Sequence, residues 1–374
     1  MIDADATLDA TGLHRRLVEA AVLAPSPDNN QPWRFLSFPD RLEVHLDPAR
    51  SLPSDVHSMF DLLGLGAAVE NIKITASKFG YEALINYTAS SDTASSAVVA
   101  VQLRPEAHPD PLVAQLGHRH TCRKMYSTRP IDSSTLNRLN STINVTSAIS
   151  TTRLHWIADR RRLAPIIAAS DRIRFEYEPF HNELFHQLRF SITEVETTRD
   201  GLDVRTLELP PGAAGLFRML RPWRRMRLVH RLGLGRLLVV PSRFAVRRSG
   251  ILGLLTTENS TPENFLLAGR TFQRLWLAAS AESLALQPLG SLPIFLAHVE
   301  QLDGSRLAPH HIDRIKNLRR RLDQLEPDIA GQTVLMLFRM GHAGPPSHVS
   351  LRRHVNDVFE VHHPPSSAVQ ETEP

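Results

Sequence analysis

The segment Ala24-Pro25-Ser26-Pro27-Asp28-Asn29-Asn30-Gln31-Pro32-Trp33 sets two helix-breaking prolines, a hydroxyl and three side-chain amides ahead of a large aromatic residue. Proline fixes φ and removes a backbone donor, so this reads as a stiff loop. Ser26, Asn29 and Gln31 both donate and accept hydrogen bonds, which suits a polar, planar ligand. The plain alternative is a helix-to-strand turn. Arg119-His120-Thr121-Cys122-Arg123 places two guanidinium forks, four residues apart, around an imidazole and a hydroxyl. Such groups can converge on one phosphate; the competing reading is a basic helix start on the surface. Gln287-Pro288-Leu289-Gly290 and the pair Arg352-Arg353 are weaker signals. Taken alone they are a helix C-cap turn and a solvated arginine pair.

The elements that must position these residues follow from periodicity. Leu13, Leu17, Ala20 and Ala21 share a helical face that leads into the first loop. Trp33 to Phe38 and Leu42 to Leu46 alternate on either side of Pro39-Asp40, which predicts a hairpin. A long helix is expected from about Met59 to Phe79, closed by Gly80, and a strand-rich run from Ala97 to Leu103. From about His118 the parts begin again: a helix start at Ile131 to Ser134, a strand from Arg153 to Ala158, an apolar helix from Arg270 to Leu286, and an apolar strand from Thr333 to Met340. Ile72-Lys73-Ile74-Thr75-Ala76-Ser77 can be laid on Leu275-Trp276-Leu277-Ala278-Ala279-Ser280. This predicts an internal duplication, with halves at residues 8–112 and 113–360; two unrelated α+β halves are the alternative.

The second half carries a long insertion, residues 199–253, with ten arginines between Arg218 and Arg248, no acidic residue among them, and Phe217, Leu220, Trp223 and Met226 interleaved. The readings, in order, are a lid over a ligand, a plain solvated cover, a lipid-surface element and a nucleic-acid patch. The tail, residues 361–374, is expected to be disordered. At 374 residues the chain can bury a sizeable core, and its net charge of +4 is modest. Cys122, the lone cysteine, excludes an intrachain disulfide and a cysteine-based metal cluster. The 18 histidines form no H-x-x-x-H pair with carboxylate support, so no metal is expected and His310-His311 is read as surface. No phosphate loop, dinucleotide fingerprint or G-x-S-x-G elbow is present. No apolar run reaches membrane-span length and the acidic N-terminus lacks a signal-peptide layout, so a cytoplasmic protein is expected.

Together these stretches resemble the nitroreductase superfamily of FMN proteins. Pro25, Ser26, Asn29 and Gln31 lie in a string similar to its A-P-S-x-x-N-x-Q-P-W signature. Arg119, His120, Thr121 and Arg123 resemble its R-[RH]-S-x-[RK] phosphate-binding segment, with threonine in place of serine. Pro288, Leu289 and Gly290 resemble the turn whose amides face flavin N5, and Arg352 with Arg353 the C-terminal arginine segment. The nearest resemblance is to the two-halved, Acg-like flavoproteins. It implies an α+β, nitroreductase-like fold whose duplicated halves mimic a dimer, each half a mainly antiparallel sheet flanked by helices. It also implies one composite FMN site per chain and no catalytic side chain. The expected activity is hydride transfer from NAD(P)H through FMN to a small organic acceptor: a nitro compound, quinone, enone or biosynthetic intermediate. The alternative is a flavin-sequestering protein with a closed lid. The expected partners are a small-molecule substrate, no nucleic acid and no membrane span. The expected state is a monomer acting as a pseudo-dimer, with further dimerisation left open.

Overall fold

The structure, a computed structural model, describes residues 9–87, 99–105, 108–147 and 151–362. The predicted tail from residue 363, and the start of the run at Ala97, lie outside them.

Asp9 caps the first helix, α1 (Ala10–Ala21), by accepting from Gly12 N at 2.7 Å. Strands β1 (Trp33–Ser37) and β2 (Leu42–Leu46) form the predicted antiparallel hairpin, with Phe35 opposite Val44. Helix α2 (Met59–Lys78) is buried on almost every side, as an all-round apolar helix must be. Strands β3 (Tyr81–Tyr87) and β4 (Val99–Pro105) pair antiparallel behind it. The same parts recur as α3 (Ser133–Ser147) and β5 (Arg153–Ile157). After a long interval come β6 (Leu188–Arg189), β7 (Leu202–Asp203), β8 (Ile251–Thr257), the buried helix α10 (Pro262–Ala281), β9 (Ala285–Leu289) and β10 (Thr333–Gly341). The intervening helices are α4 (Arg160–Glu176), α5 (Glu178–Gln187), α6 (Ile192–Thr198), α7 (Ala213–Met219), α8 (Trp223–Arg231) and α9 (Val240–Arg247). Helices α11 (Ser291–Gln301) and α12 (Pro309–Leu325) separate β9 from β10, and β11 (Phe359–Val361) ends the described chain.

The first sheet has the order β11-β1-β2-β4-β3 and the second β5-β8-β10-β9. Leaving β11 aside, the two orders match strand for strand, each half running helix, two strands, buried helix, two strands. The duplication suggested by the Ile72 and Leu275 segments is therefore carried by the topology. It is also carried by packing, because α2 and α10 lie against each other. The displacement that lays Ile72 on Leu275 also lays Gly66 on Gly269 and Leu63 on Leu266. A Cβ at Gly66 would run into the Leu266 carbonyl, and one at Gly269 into the Leu63 carbonyl. The contact is thus reciprocal, as a pseudo-two-fold axis requires. Because the obstruction is backbone, Gly66→Ala is expected to cost about 3 kcal/mol, the upper end of overpacking penalties. Urea unfolding checks this, and a loss below about 0.5 kcal/mol would mean that the helices slide apart freely.

Several expectations are corrected. The insertion is longer than residues 199–253: it fills the whole interval from β5 to β8 and so includes α4 and α5. Gly253 lies inside β8, whose Ile251-Leu252-Gly253-Leu254-Leu255 run is buried beyond its first residue and so shows no alternation. The helix read as Arg270 to Leu286 starts at Pro262 and stops at Ala281. The boundary drawn at residue 360 falls within β11, which pairs parallel with β1 through Phe35 and Phe359. The last described strand therefore completes the first half's sheet. His311 is buried, its ring 5.4 Å from that of Tyr177, and burial holds its pKa down at about 4.

Candidate functional site

Backbone strain marks the first loop. Asp28, Asn29 and Gln31 have φ of 45°, 60° and 51°, in the left-handed region that costs non-glycine residues energy. Side-chain bonds hold it there. Ser26 Oγ accepts from Gln31 N at 3.0 Å. Asn29 Nδ2 donates to Gly201 O and Leu351 O, each at 3.1 Å, while its Oδ1 accepts from Arg352 Nη1 at 2.8 Å. Gln31, fully buried, donates to Arg199 O at 2.8 Å and accepts from Arg353 N at 2.8 Å. Asn30 donates to Asp61 Oδ1 at 2.9 Å; burial raises the pKa of Asp61 and of Asp55 beside it, where the charge of Asp61 adds to the effect. The amides therefore bind the loop to residues 199–201 and 351–353. What the loop turns inward is Pro25, Ser26, Pro27, Asp28 and one side of Asn29.

The Arg119 to Arg123 segment is irregular chain with a single bridge at Thr121, and not a helix start. Thr121 bridges to Leu286 in parallel, and Cys122 N donates to Leu286 O at 3.1 Å. The two forks part company, Arg119 toward Leu23 and Arg123 toward Thr206. Arg119 donates to Leu23 O at 2.9 Å and lies 4.4 Å from the Trp276 ring centroid. Burial, and then the charge of Arg352, lowers its pKa to about 9. Burial likewise lowers Arg352 to about 10. His120 is held at about 4 by burial, then by the charges of Arg119 and Arg352. Arg123 reaches instead to Thr206 O at 3.3 Å, on the insertion, and burial lowers its pKa too. The Nε atoms of Arg119 and Arg352 are buried with no hydrogen-bond partner. Among the described residues, neither arginine forms an ion pair with a carboxylate.

These groups surround one cavity of about 470 Å³, within the range of small-molecule sites. Helix α2 contributes Phe60, Leu63, Gly64 and Ala67; α10 contributes Phe272 and Trp276. Pro288, Leu289 and Gly290 line it as the end of β9 and the residue capping α11, and not as a helix C-cap. The insertion closes it with Phe217, Leu238, Val239 and Val246. Of the residues singled out from sequence, Pro25, Ser26, Asn29, Arg119, His120, Thr121, Arg123, Pro288, Leu289, Gly290 and Arg352 meet here, while Gln31 and Arg353 stand behind the wall and position it.

Three charged groups on the cavity were not anticipated. Arg339, fully buried on β10, donates to Gln287 Oε1 at 2.6 Å and sits 3.9 Å from the Tyr126 ring centroid. Its Nη1 has no partner. A lone arginine in the apolar run Thr333 to Gly341 was the available signal, since a buried charge is costly without a purpose. Arg174 pairs with Asp28 at 2.9 Å, and Asp171 accepts from Ser242 of the insertion. Neither shows a sequence signal, because their partners are distant in the chain.

The fold and site define an α+β protein of two like halves enclosing a covered, strongly cationic cavity. No protein-family profile matches the chain. It is 28% identical over 358 residues to an uncharacterized Mycobacterium tuberculosis protein, covering 92% of this chain and 48% of that one. A second M. tuberculosis protein, provisionally named an NAD(P)H nitroreductase, is 32% identical over 120 residues, 31% of this chain and 35% of the relative. The M. tuberculosis protein acg, provisionally named in the same way, is 27% identical over 191 residues, 48% of this chain and 55% of the relative. The chain thus spans about half or less of the length of these relatives. Among solved structures, a Bacteroides fragilis nitroreductase with bound FMN has a TM-score of 0.35 at 10% identity, over 66% of this chain and 95% of that one. The FMN-dependent nitroreductase NfnB of Mycobacterium smegmatis, in complex with NADPH, has a TM-score of 0.33 at 15% identity, over 70% and 95%. The nitroreductase-superfamily resemblance carried by the motifs is met by sequence similarity to proteins of that name, acg among them.

Proposed function

We propose that the cavity binds FMN and that the protein is an FMN-dependent oxidoreductase using NAD(P)H. The observation that carries this is the Arg119–Arg352 pair: two guanidinium groups on one cavity wall, Arg119 buried and Arg352 half-buried, repelling each other and without a carboxylate partner among the described residues. Such a pair is costly alone and is relieved by a dianion. The donor set fits the group. Arg119 and Arg352 would hold the phosphate, helped by the Thr121 hydroxyl, with His120 neutral beside them. Arg123 and Arg339 add positive potential along the same wall. Pro25, Ser26 and Asn29 would flank the ring or ribityl chain, and the backbone at Leu289 and Gly290 its reacting edge. When bound, FMN supplies the hydride chemistry: it accepts hydride from NAD(P)H and passes it to an acceptor such as a nitro compound, quinone or enone. The chain's own part is to orient both partners over apolar walls and to exclude water. No side chain is assigned as acid, base or nucleophile.

Both halves and the last segment contribute to the one cavity, which supports a single FMN per chain and a monomer that acts as a pseudo-dimer. No described helix is long and apolar enough to cross a membrane; a cytoplasmic location belongs to this reading. A second reading, a flavin holder with little turnover, is favoured by the cover itself: Thr206, Phe217 and Leu238 of the insertion face the cavity and Arg123 is bonded to it. Anaerobic titration of the flavin-loaded protein with NADPH separates the two. Bleaching of the flavin spectrum is the expected result. Reduction by dithionite but by neither NADPH nor NADH would establish the holder. A chain that takes up no FMN, or takes up two, would refute the single composite site.

A further inference from the structure

The outer side of α7 to α9 carries a charge and an apolar character that the cavity does not use. All ten arginines from Arg218 to Arg248 are exposed, and none forms an ion pair with a described carboxylate. No acidic residue lies between Glu208 and Glu258. The same stretch holds eight of the fourteen exposed large apolar side chains among the described residues. They are ordered in space. Leu216 and Met219 are one turn apart on α7, and Leu228 and Leu232 one turn apart at the end of α8. Leu237, Val240 and Phe244 follow one another along the 3-10 turn that runs into α9.

These leucines are not left over from an unfinished core. The insertion has its own, in which Leu220 and Met226 pack with Leu184, Phe185, Leu188 and Leu202. Leu232 and Leu237 are each 63% exposed, and isolated apolar residues on a soluble surface do not gather in this way. We propose that this face docks on the surface of an anionic lipid bilayer. Phosphate headgroups match the arginines, and the leucines and Phe244 enter the interface between them, as amphipathic interfacial helices do. Nucleic acid would satisfy the arginines only. It gains little from exposed leucines, and the aromatic platforms that stack bases reduce here to Phe244. Lipid accounts for both halves of the pattern. The inner side of the same helices lines the cavity, so the face that meets lipid is the outside of the site's cover.

The test is co-sedimentation of the full chain with vesicles of phosphatidylcholine, with and without phosphatidylglycerol. Binding to the mixed vesicles and not to phosphatidylcholine alone is expected. Arg224→Gln/Arg225→Gln/Arg227→Gln is expected to weaken it about a hundredfold, at about fivefold for each cation removed. Leu232→Ser/Leu237→Ser is expected to weaken it by about tenfold or more. Both variants should melt at the wild-type temperature, because the altered side chains are exposed. Absence of binding to the mixed vesicles would overturn the proposal. So would binding that ignores the leucine variant and is matched by duplex DNA, which would make the face a general polyanion site. Lipid-free dimerisation abolished by the same substitutions, without vesicle binding, would assign the face to a second copy and overturn it as well. None of these outcomes depends on FMN.

Discussion

Arg119→Ala is expected to weaken FMN binding by about 1.5–3 kcal/mol, roughly 10- to 150-fold, as loss of a charge-assisted bond to a dianion does. Arg352→Ala should do the same, because the two arginines line one cavity and repel each other. Arg123→Ala should cost less, since that side chain turns toward Thr206 of the cover. Titration of apo-protein with FMN, followed by flavin fluorescence, measures all three. Arg119→Lys serves as the control: it keeps the charge but loses the fork, and should fall between wild type and alanine. Equal affinities for wild type and Arg119→Ala would remove Arg119 from the phosphate site and leave the role to Arg123 and Arg339.

Glu70→Ala is expected to destabilise the folded chain by about 3–5 kcal/mol, the usual result of stripping one partner from a buried ion cluster. Glu70 lies on α2 and is 1% exposed; it accepts from Arg270 Nε at 2.9 Å and Arg274 Nη1 at 2.7 Å, both on α10. Arg274 also pairs with Asp110, and Arg270 Nη1 donates to the Tyr87 hydroxyl at 2.7 Å. Burial works against the charge on Arg270, but Glu70 and Tyr87 outweigh it and its pKa is raised. Without Glu70, Arg270 keeps only a neutral partner. The pseudo-two-fold counterpart of the Glu70–Arg274 bond is the bond from Gln273 Nε2 to Asn71 Oδ1, at 2.7 Å. That neutral pair should be the milder site, so Asn71→Ala offers a comparison within one interface. Urea unfolding of both variants decides it. A Glu70 loss no larger than the Asn71 loss would show that apolar contact, not the ion cluster, joins the halves.

Local rules made the elements legible. Alternation around Pro39-Asp40 specified the first hairpin, because its register is set by a short turn and one buried face. The all-round apolar pattern of α2 and the similarity of Ile72–Ser77 to Leu275–Ser280 specified two like central helices. Strand β8 was hidden because a strand buried on both sides loses its period of two, and β11 because three residues carry too little pattern to show. The basic insertion was legible as a cover, but its true extent was not, since α4 and α5 look like any amphipathic helices.

For the site, residue type and spacing named several polar stretches of the cavity's wall, the Pro25 loop, the Arg119 segment, Pro288 to Gly290 and Arg352, and not its apolar lining from α2, α10 and the insertion. That much is chemistry written in short stretches of chain. Which groups face each other was decided only by tertiary structure. Spacing joined Arg119 with Arg123, yet their side chains turn to different partners, and Arg119 shares the cavity wall with Arg352 from the far end of the chain. Spacing also offered the amides of Asn29 and Gln31 to a ligand, yet residues 199–201 and 351–353 claim most of their bonds. Arg339 joins the cavity from β10, and Arg174 and Asp171 join it from α4. A hydrogen bond or a shared charge acts over a few ångströms of space whatever the distance along the chain, so those pairings wait for the fold.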